Sequence, residues 1–126
     1  MQRNSSESKQ HLDLIKMMIN HFRNEAYQNI KADVDGMESP DIIHGTKENH
    51  VPDLTARKNG IIVILEAETS NSIYHSHTAS QWALFADAAE NNGGEFHVVV
   101  PKGSRNDAAK RATDLSINID TIWTPQ

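Results

Sequence analysis

Residues 50–69 read HVPDLTARKNGIIVILEAET, and the fold turns on how this stretch is read. At its centre Asn59-Gly60 is the strongest two-residue hairpin signal in the chain, because a tight turn with positive φ at both central positions favours that pair. Residues 51–56 before it form a short strand. Residues 61–67 after it are continuously apolar up to Glu66, which predicts a central strand covered on both faces. Folding about the turn pairs Lys58 with Ile61 and therefore brings Asp53 beside Glu66. Residues two apart on a strand share a face, so Glu66 and Glu68 point the same way. The three carboxylates are expected to converge where the strands splay. The plainer alternative is that Glu66 and Glu68 mark a strand leaving the core for solvent, as acidic residues at strand ends commonly do.

Upstream of this hairpin, Leu12, Ile15, Ile19, Phe22, Ala26 and Ile30 recur every three or four residues. That spacing predicts one long amphipathic helix from His11 to about Ile30. Asp35-Gly36, Ser39-Pro40 and His44-Gly45 are turn signals that enclose an irregular first strand and a loop. Downstream, residues 70–77 read as a loop. A helix follows, capped by Thr78 or Ser80, with Ala79, Trp82, Ala83, Phe85, Ala86 and Ala89 on its apolar side, and Asn91-Asn92-Gly93-Gly94 ends it. Residues 96–100 form a fourth strand stopped by Pro101, a last helix runs over about 106–115, and a short strand covers 119–123. The order is helix, three strands, helix, strand, helix, strand, an α/β arrangement with a mixed central sheet flanked by helices.

A chain of 126 residues is one domain, residues 1–126, with 1–9 expected to be frayed and Ser5, Ser6 or Ser8 available as caps. Its longest apolar run, Ile61 to Leu65, is far too short to span a membrane, and the opening MQRNSSESKQ lacks the apolar stretch of a secretion signal. The absence of cysteine excludes disulfides, thiolate chemistry and Cys-ligated zinc, and a cytoplasmic location is expected. A net charge of −5 argues against a broad electrostatic grip on nucleic acid. Local basic groups exist nonetheless, at Arg57-Lys58 and at Lys102, Arg105, Lys110 and Arg111; a nucleic-acid patch and an ordinary solvated surface both account for the latter group.

Clustered carboxylate oxygens are hard ligands suited to magnesium or manganese, which retain waters and bridge to phosphate. Such an ion acidifies a water and offsets charge on a phosphoryl transition state. With no glycine-rich loop for a nucleoside triphosphate, phosphodiester hydrolysis is the natural reaction.

Taken as a whole, residues 50–69 resemble the PD-(D/E)xK nuclease superfamily of restriction endonucleases and Holliday-junction resolvases. Pro52-Asp53 matches the PD element and Glu66-Ala67-Glu68 stands at the (D/E)xK element, an ExE version. The resemblance covers roughly residues 11–101 and implies a restriction-endonuclease-like αβββαβ core and a metal-dependent endonuclease acting on DNA. It further implies that Asp53 and Glu66 are metal ligands, that the Ala67 carbonyl adds a third oxygen, and that Glu25, late in the first helix, is a further acidic ligand. Glu68 replaces the usual lysine; it offers a general base or a ligand for a second metal but no positive charge. Gln81, early in the helix after the motif within Thr78–Trp82, matches a polar active-site position. The alternative is a nuclease-fold module that binds nucleic acid or protein without cutting. The chain is too short for a target-recognition domain, so a homodimer or a separate specificity or helicase subunit is expected to supply selectivity.

Lys58 is a candidate for a displaced lysine, set against a simple solubilising charge. The seven histidines do not show zinc spacing: His75 and His77 lie in the expected loop, and His50 suits a hydrogen-bonded structural role.

Overall fold

A computed structural model describes residues 5–126. Helix α1 (Ser5–Asn24) is followed by β1 (Gln28–Ala32), β2 (Ile43–His44), β3 (Asn49–His50), β4 (Leu54–Lys58) and β5 (Ile61–Ala67). A 3-10 turn (Ser72–Tyr74), α2 (Ser76–Asn91), β6 (Glu95–Val99), α3 (Arg105–Asp114) and β7 (Thr121–Trp123) complete the chain. Five strands form a mixed sheet in the order β1-β4-β5-β6-β7, and β2 with β3 forms a separate two-stranded ribbon. The β1, β4 and β5 pairings are antiparallel, whereas β5–β6 and β6–β7 are parallel. An antiparallel pair needs only a turn, and Asn59 (φ 53°) with Gly60 (φ 80°) supplies one whose twist matches the strands. Parallel neighbours need a crossover, which α2 and α3 provide. The expected mixed α/β architecture is what forms, and β5 is its middle strand.

Alternation along β5 divides the molecule into two cores. Val63, Leu65 and Ala67 face Leu14, Ile15, Met18, Ile19 and Phe22 of α1. Ile64, with Phe96 and Val98 of β6, faces Trp82, Phe85 and Ala89 of α2 and Ala108 and Ala112 of α3. Full burial of one such large apolar side chain contributes about 1.5–3 kcal/mol, so these two layers hold the sheet between its helices.

The first helix departs from expectation at both ends. It is already helical at Ser5, within the stretch expected to fray, while residues 1–4 of that stretch lie outside the described residues. It ends at Asn24, six residues before Ile30, which belongs to β1. The reason is a Schellman closure built without glycine. Ala26 turns left-handed (φ 62°), its N–H donates to the Arg23 carbonyl, and the Tyr27 N–H donates to the Phe22 carbonyl at 2.9 Å. The Tyr27 and Phe22 rings meet at 4.6 Å, the hydrophobic contact that accompanies this closure. Leu12, counted in the apolar stripe, is exposed. Helix α2 closes in the same way through Gly93 (φ 65°), with the Gly94 N–H donating to the Ala89 carbonyl. Among the described residues no helix is long and apolar enough to cross a membrane.

Candidate functional site

The β4–β5 ladder pairs Leu54 with Leu65, and one step beyond it the strands part. There the side chains of Asp53 and Glu66 take over the ladder's work. The Asp53 N–H donates to Glu66 Oε1 at 2.9 Å, and the Ala67 N–H donates to Asp53 Oδ2 at 2.9 Å. Each carboxylate thus closes the backbone of the other's strand. Hydrogen bonds to charged acceptors contribute about 1.5–3 kcal/mol each, so this exchange defines the end of the hairpin firmly. The sequence-expected meeting of Asp53 with Glu66 is therefore present.

A third side chain joins them from α1. His11 Nε2 lies 3.1 Å from Asp53 Oδ2, with both side chains mostly buried. His11 was not singled out from the sequence, although the signal was there. It stands three and four residues before Leu14 and Ile15, on the helix stripe that faces the sheet. A histidine on a buried stripe requires a polar partner, and the sheet offers Asp53.

Glu68 takes a different course. It shares the face of Glu66, as alternation requires, but its carboxylate turns into the second core. The Ser72 hydroxyl donates to Oε1 at 2.7 Å and the Trp82 indole N–H donates to Oε2 at 3.0 Å. Only 1% of Glu68 is exposed. The segment is prepared for it: Thr69 and Ser72 cap each other, the Thr69 N–H donating to Ser72 Oγ at 2.8 Å and the Ser72 N–H donating to Thr69 Oγ1 at 3.1 Å. The Thr78 hydroxyl then ties the first turn of α2 to the Ser72 carbonyl at 2.6 Å. Glu68 is a buried, doubly hydrogen-bonded strut between β5 and α2, not a side chain leaving the core.

The three carboxylates consequently do not form one ligand set. Among the described residues no group of three or more His, Cys, Asp or Glu side chains is placed to hold a metal ion. The donor chemistry that remains is the Asp53–Glu66 pair, with Ala67 between them in the backbone. Two carboxylates fit magnesium or manganese, which are usually bound by one or two carboxylates and several waters.

Glu25 is outside this site. It lies in the exposed turn after α1, roughly 20 Å along the helix axis from His11 at 1.5 Å per residue. The helix is shorter than the apolar spacing suggested, and its opposite end is the one that meets Asp53. Gln81 is half buried in the second turn of α2, and it is the neighbouring Trp82 whose side chain reaches the acidic segment. Lys58 is at the far end of the hairpin, its ammonium 5.1 Å from the Tyr27 ring centroid. His50 packs edge-on against His77 (5.2 Å) and Phe85 (6.2 Å). The C-terminal basic group is partly structural: Arg105 donates to the Ile122 carbonyl, and Arg111 donates to the carbonyls of Ile73 and His75.

Comparisons with known proteins give a fold likeness. No family model and no curated protein matches the chain. Among solved structures, the crystal structure of a protein of unknown function, AF1548, is similar over 87% of this chain and 54% of that one. The TM-score is 0.54 at 15% sequence identity, a level that shows shared fold alone. This chain spans about half the length of that protein.

Proposed function

We propose that the chain is a divalent-metal-dependent phosphodiesterase of the restriction-endonuclease-like, PD-(D/E)xK type, acting on DNA from a two-carboxylate centre at Asp53 and Glu66. The observation that supports this most is the reciprocal closure of the β4–β5 ladder, which holds two hard-oxygen side chains together at the end of the central strand. Asp53 and Glu66, with the Ala67 carbonyl, would hold Mg²⁺ or Mn²⁺. When bound, such an ion supplies charge neutralisation at a phosphodiester and a more acidic water. His11 keeps Asp53 Oδ2 in place, so Oδ1 is the oxygen left for a further partner. Glu68, held by Ser72 and Trp82, sets the position of Glu66 through the strand and is not the proton acceptor.

A second reading is a nuclease-fold module that binds nucleic acid or a protein partner without cutting it. The sequestration of Glu68 favours it, since position 68 then offers neither the usual lysine nor a mobile base.

A cleavage panel with Mg²⁺ or Mn²⁺ on single-stranded, duplex and branched DNA separates the two. We expect cleavage that Asp53→Ala lowers by about 10²–10⁴-fold, the range of a lost catalytic group. Cleavage unchanged by Asp53→Ala overturns the two-carboxylate site, and DNA binding without any cleavage selects the second reading.

A further inference from the structure

The strand beside β5 carries a buried histidine that the proposed chemistry does not use. His97, on β6, points to the α1 side, and its side chain is 3% exposed. Its two ring nitrogens are both engaged. Nε2 lies 2.8 Å from Glu95 Oε1, and the Trp123 indole N–H donates to Nδ1 at 2.9 Å. An indole nitrogen can only donate, so Nδ1 must be the acceptor and Nε2 must carry the proton that goes to Glu95. One protonation state satisfies this arrangement.

We propose that His97 is a proton-operated latch for the β7 edge strand: the neutral ring accepts the Trp123 indole N–H, the protonated ring cannot, and protonation releases β7 from α1. Adding a proton at Nδ1 sets two N–H donors against each other at 2.9 Å, at a ring that is itself 3% exposed. Trp123 is the side chain that must move, because it lies on a three-residue edge strand, whereas His97 lies between β5 and β7. The seat it leaves is bounded by α1 and β5. From α1, the His21 ring lies 4.7 Å from Trp123 and Phe22 lies 6.5 Å from His97. From β5, Leu65 pairs with His97 and is apolar.

The charged and titratable groups around the latch are few. Glu95 is on the same strand. Asp120, just before β7, accepts the Phe96 N–H through Oδ2 at 2.8 Å. His21 is the titratable group of α1 that faces Trp123. Behind Phe22 stands Tyr27, whose hydroxyl is pushed above its ordinary value by burial and by the negative charges of Glu95 and Glu25. Burial holds His97 below the ordinary histidine value of 6.5, against the opposing pull of Glu95 and Asp120. The neutral, latched form is therefore the resting state near neutral pH. Release would be felt at the acidic segment, because the Val100 N–H donates to the Trp123 carbonyl and the Glu68 N–H donates to the Val99 carbonyl.

The test follows the two indole N–H resonances of the ¹⁵N-labelled chain from about pH 8 to about pH 5, the range over which histidines titrate. Trp123→Phe assigns them. The Trp123 resonance should move along a one-proton curve with its midpoint below 6.5, shared with the His97 ring, while the Trp82 resonance stays in place. Protection of the β7 amides should fall by up to about tenfold per pH unit between 6.5 and that midpoint, and level off below it. His97→Gln, whose amide can accept from the indole and donate to Glu95 but binds no proton, should abolish the curve; His21→Gln should leave it. A flat Trp123 resonance, a curve that survives His97→Gln, or one that disappears with His21→Gln overturns the latch. If His97→Gln does not fold, a Trp123 midpoint that differs from that of the His97 ring overturns it equally.

Discussion

Glu66 and Glu68 are two residues apart on the same strand face, yet they sit in two different regions. Glu66 lies at the open end of the β4–β5 hairpin, where its Oε1 accepts the Asp53 N–H. Glu68 lies behind the 3-10 turn, where its two oxygens take a serine hydroxyl and a tryptophan N–H from the next two elements. Strand alternation put both on one face and could do no more. What each carboxylate does was decided by the elements that close over that face. Both are buried, at 4% and 1% exposed, so what separates them is the partner: a backbone N–H of the neighbouring strand for Glu66, and side chains of the next two elements for Glu68.

The sharpest way to break this contrast is Glu68→Lys, which puts at this position the residue type usual in the motif that the segment resembles. In this chain it sets an ammonium against the Trp82 N–H and the Ser72 hydroxyl in a place that is 1% exposed. We expect a loss of about 3–5 kcal/mol, the cost of leaving a buried charge without its partner, read as a large drop in the urea midpoint. A stable Glu68→Lys variant that cleaves DNA would instead assign position 68 to catalysis.

A smaller effect tests the contrast between the two histidine–carboxylate pairs, His11–Asp53 and His97–Glu95. Because folding depresses the His97 value, the unfolded chain binds the proton more readily. Its contribution is intact above 6.5 and is lost as pH falls through that value toward the folded one. Urea midpoints taken across this range should show the wild type losing up to about 1.4 kcal/mol per pH unit more than His97→Gln, the limit for one proton. Equal slopes for the two proteins would remove His97 from the acid response.

The smallest effect concerns Lys58, which the structure separates from the acidic pair. Lys58→Ala removes a contact with the Tyr27 face and should cost about 0.5–1 kcal/mol while leaving any cleavage rate unchanged. A lost cleavage rate with unchanged stability would place Lys58 in the reaction despite its distance along the hairpin.

Much of this molecule was legible from local signals. Asn59-Gly60 defined a hairpin, and counting back from it brought Asp53 to Glu66, because register is set once the turn is known. The apolar run 61–67 announced a central strand, and Gly93 announced the end of α2. Less visible was the end of α1, where Ala26 takes the left-handed position that glycine takes at Gly93. The same closure recurs at Ser116 (φ 56°), where the Ile117 N–H donates to the Ala112 carbonyl. A left-handed alanine or serine carries no signature in composition or spacing, so the apolar period ran on to Ile30 and carried Glu25 into a candidate ligand set to which it does not belong.

By itself, then, the sequence determined the hairpin, its register, the central strand and the adjacency of Asp53 and Glu66, all consequences of interactions between residues close in the chain. The tertiary structure alone decided that His11 meets Asp53 across 42 positions, that Trp82 and Ser72 take up Glu68, and that Trp123 fastens to His97. These are contacts between elements. Their partners are chosen by which helix packs on which face of the sheet, and a buried polar group accepts whatever donor that packing delivers.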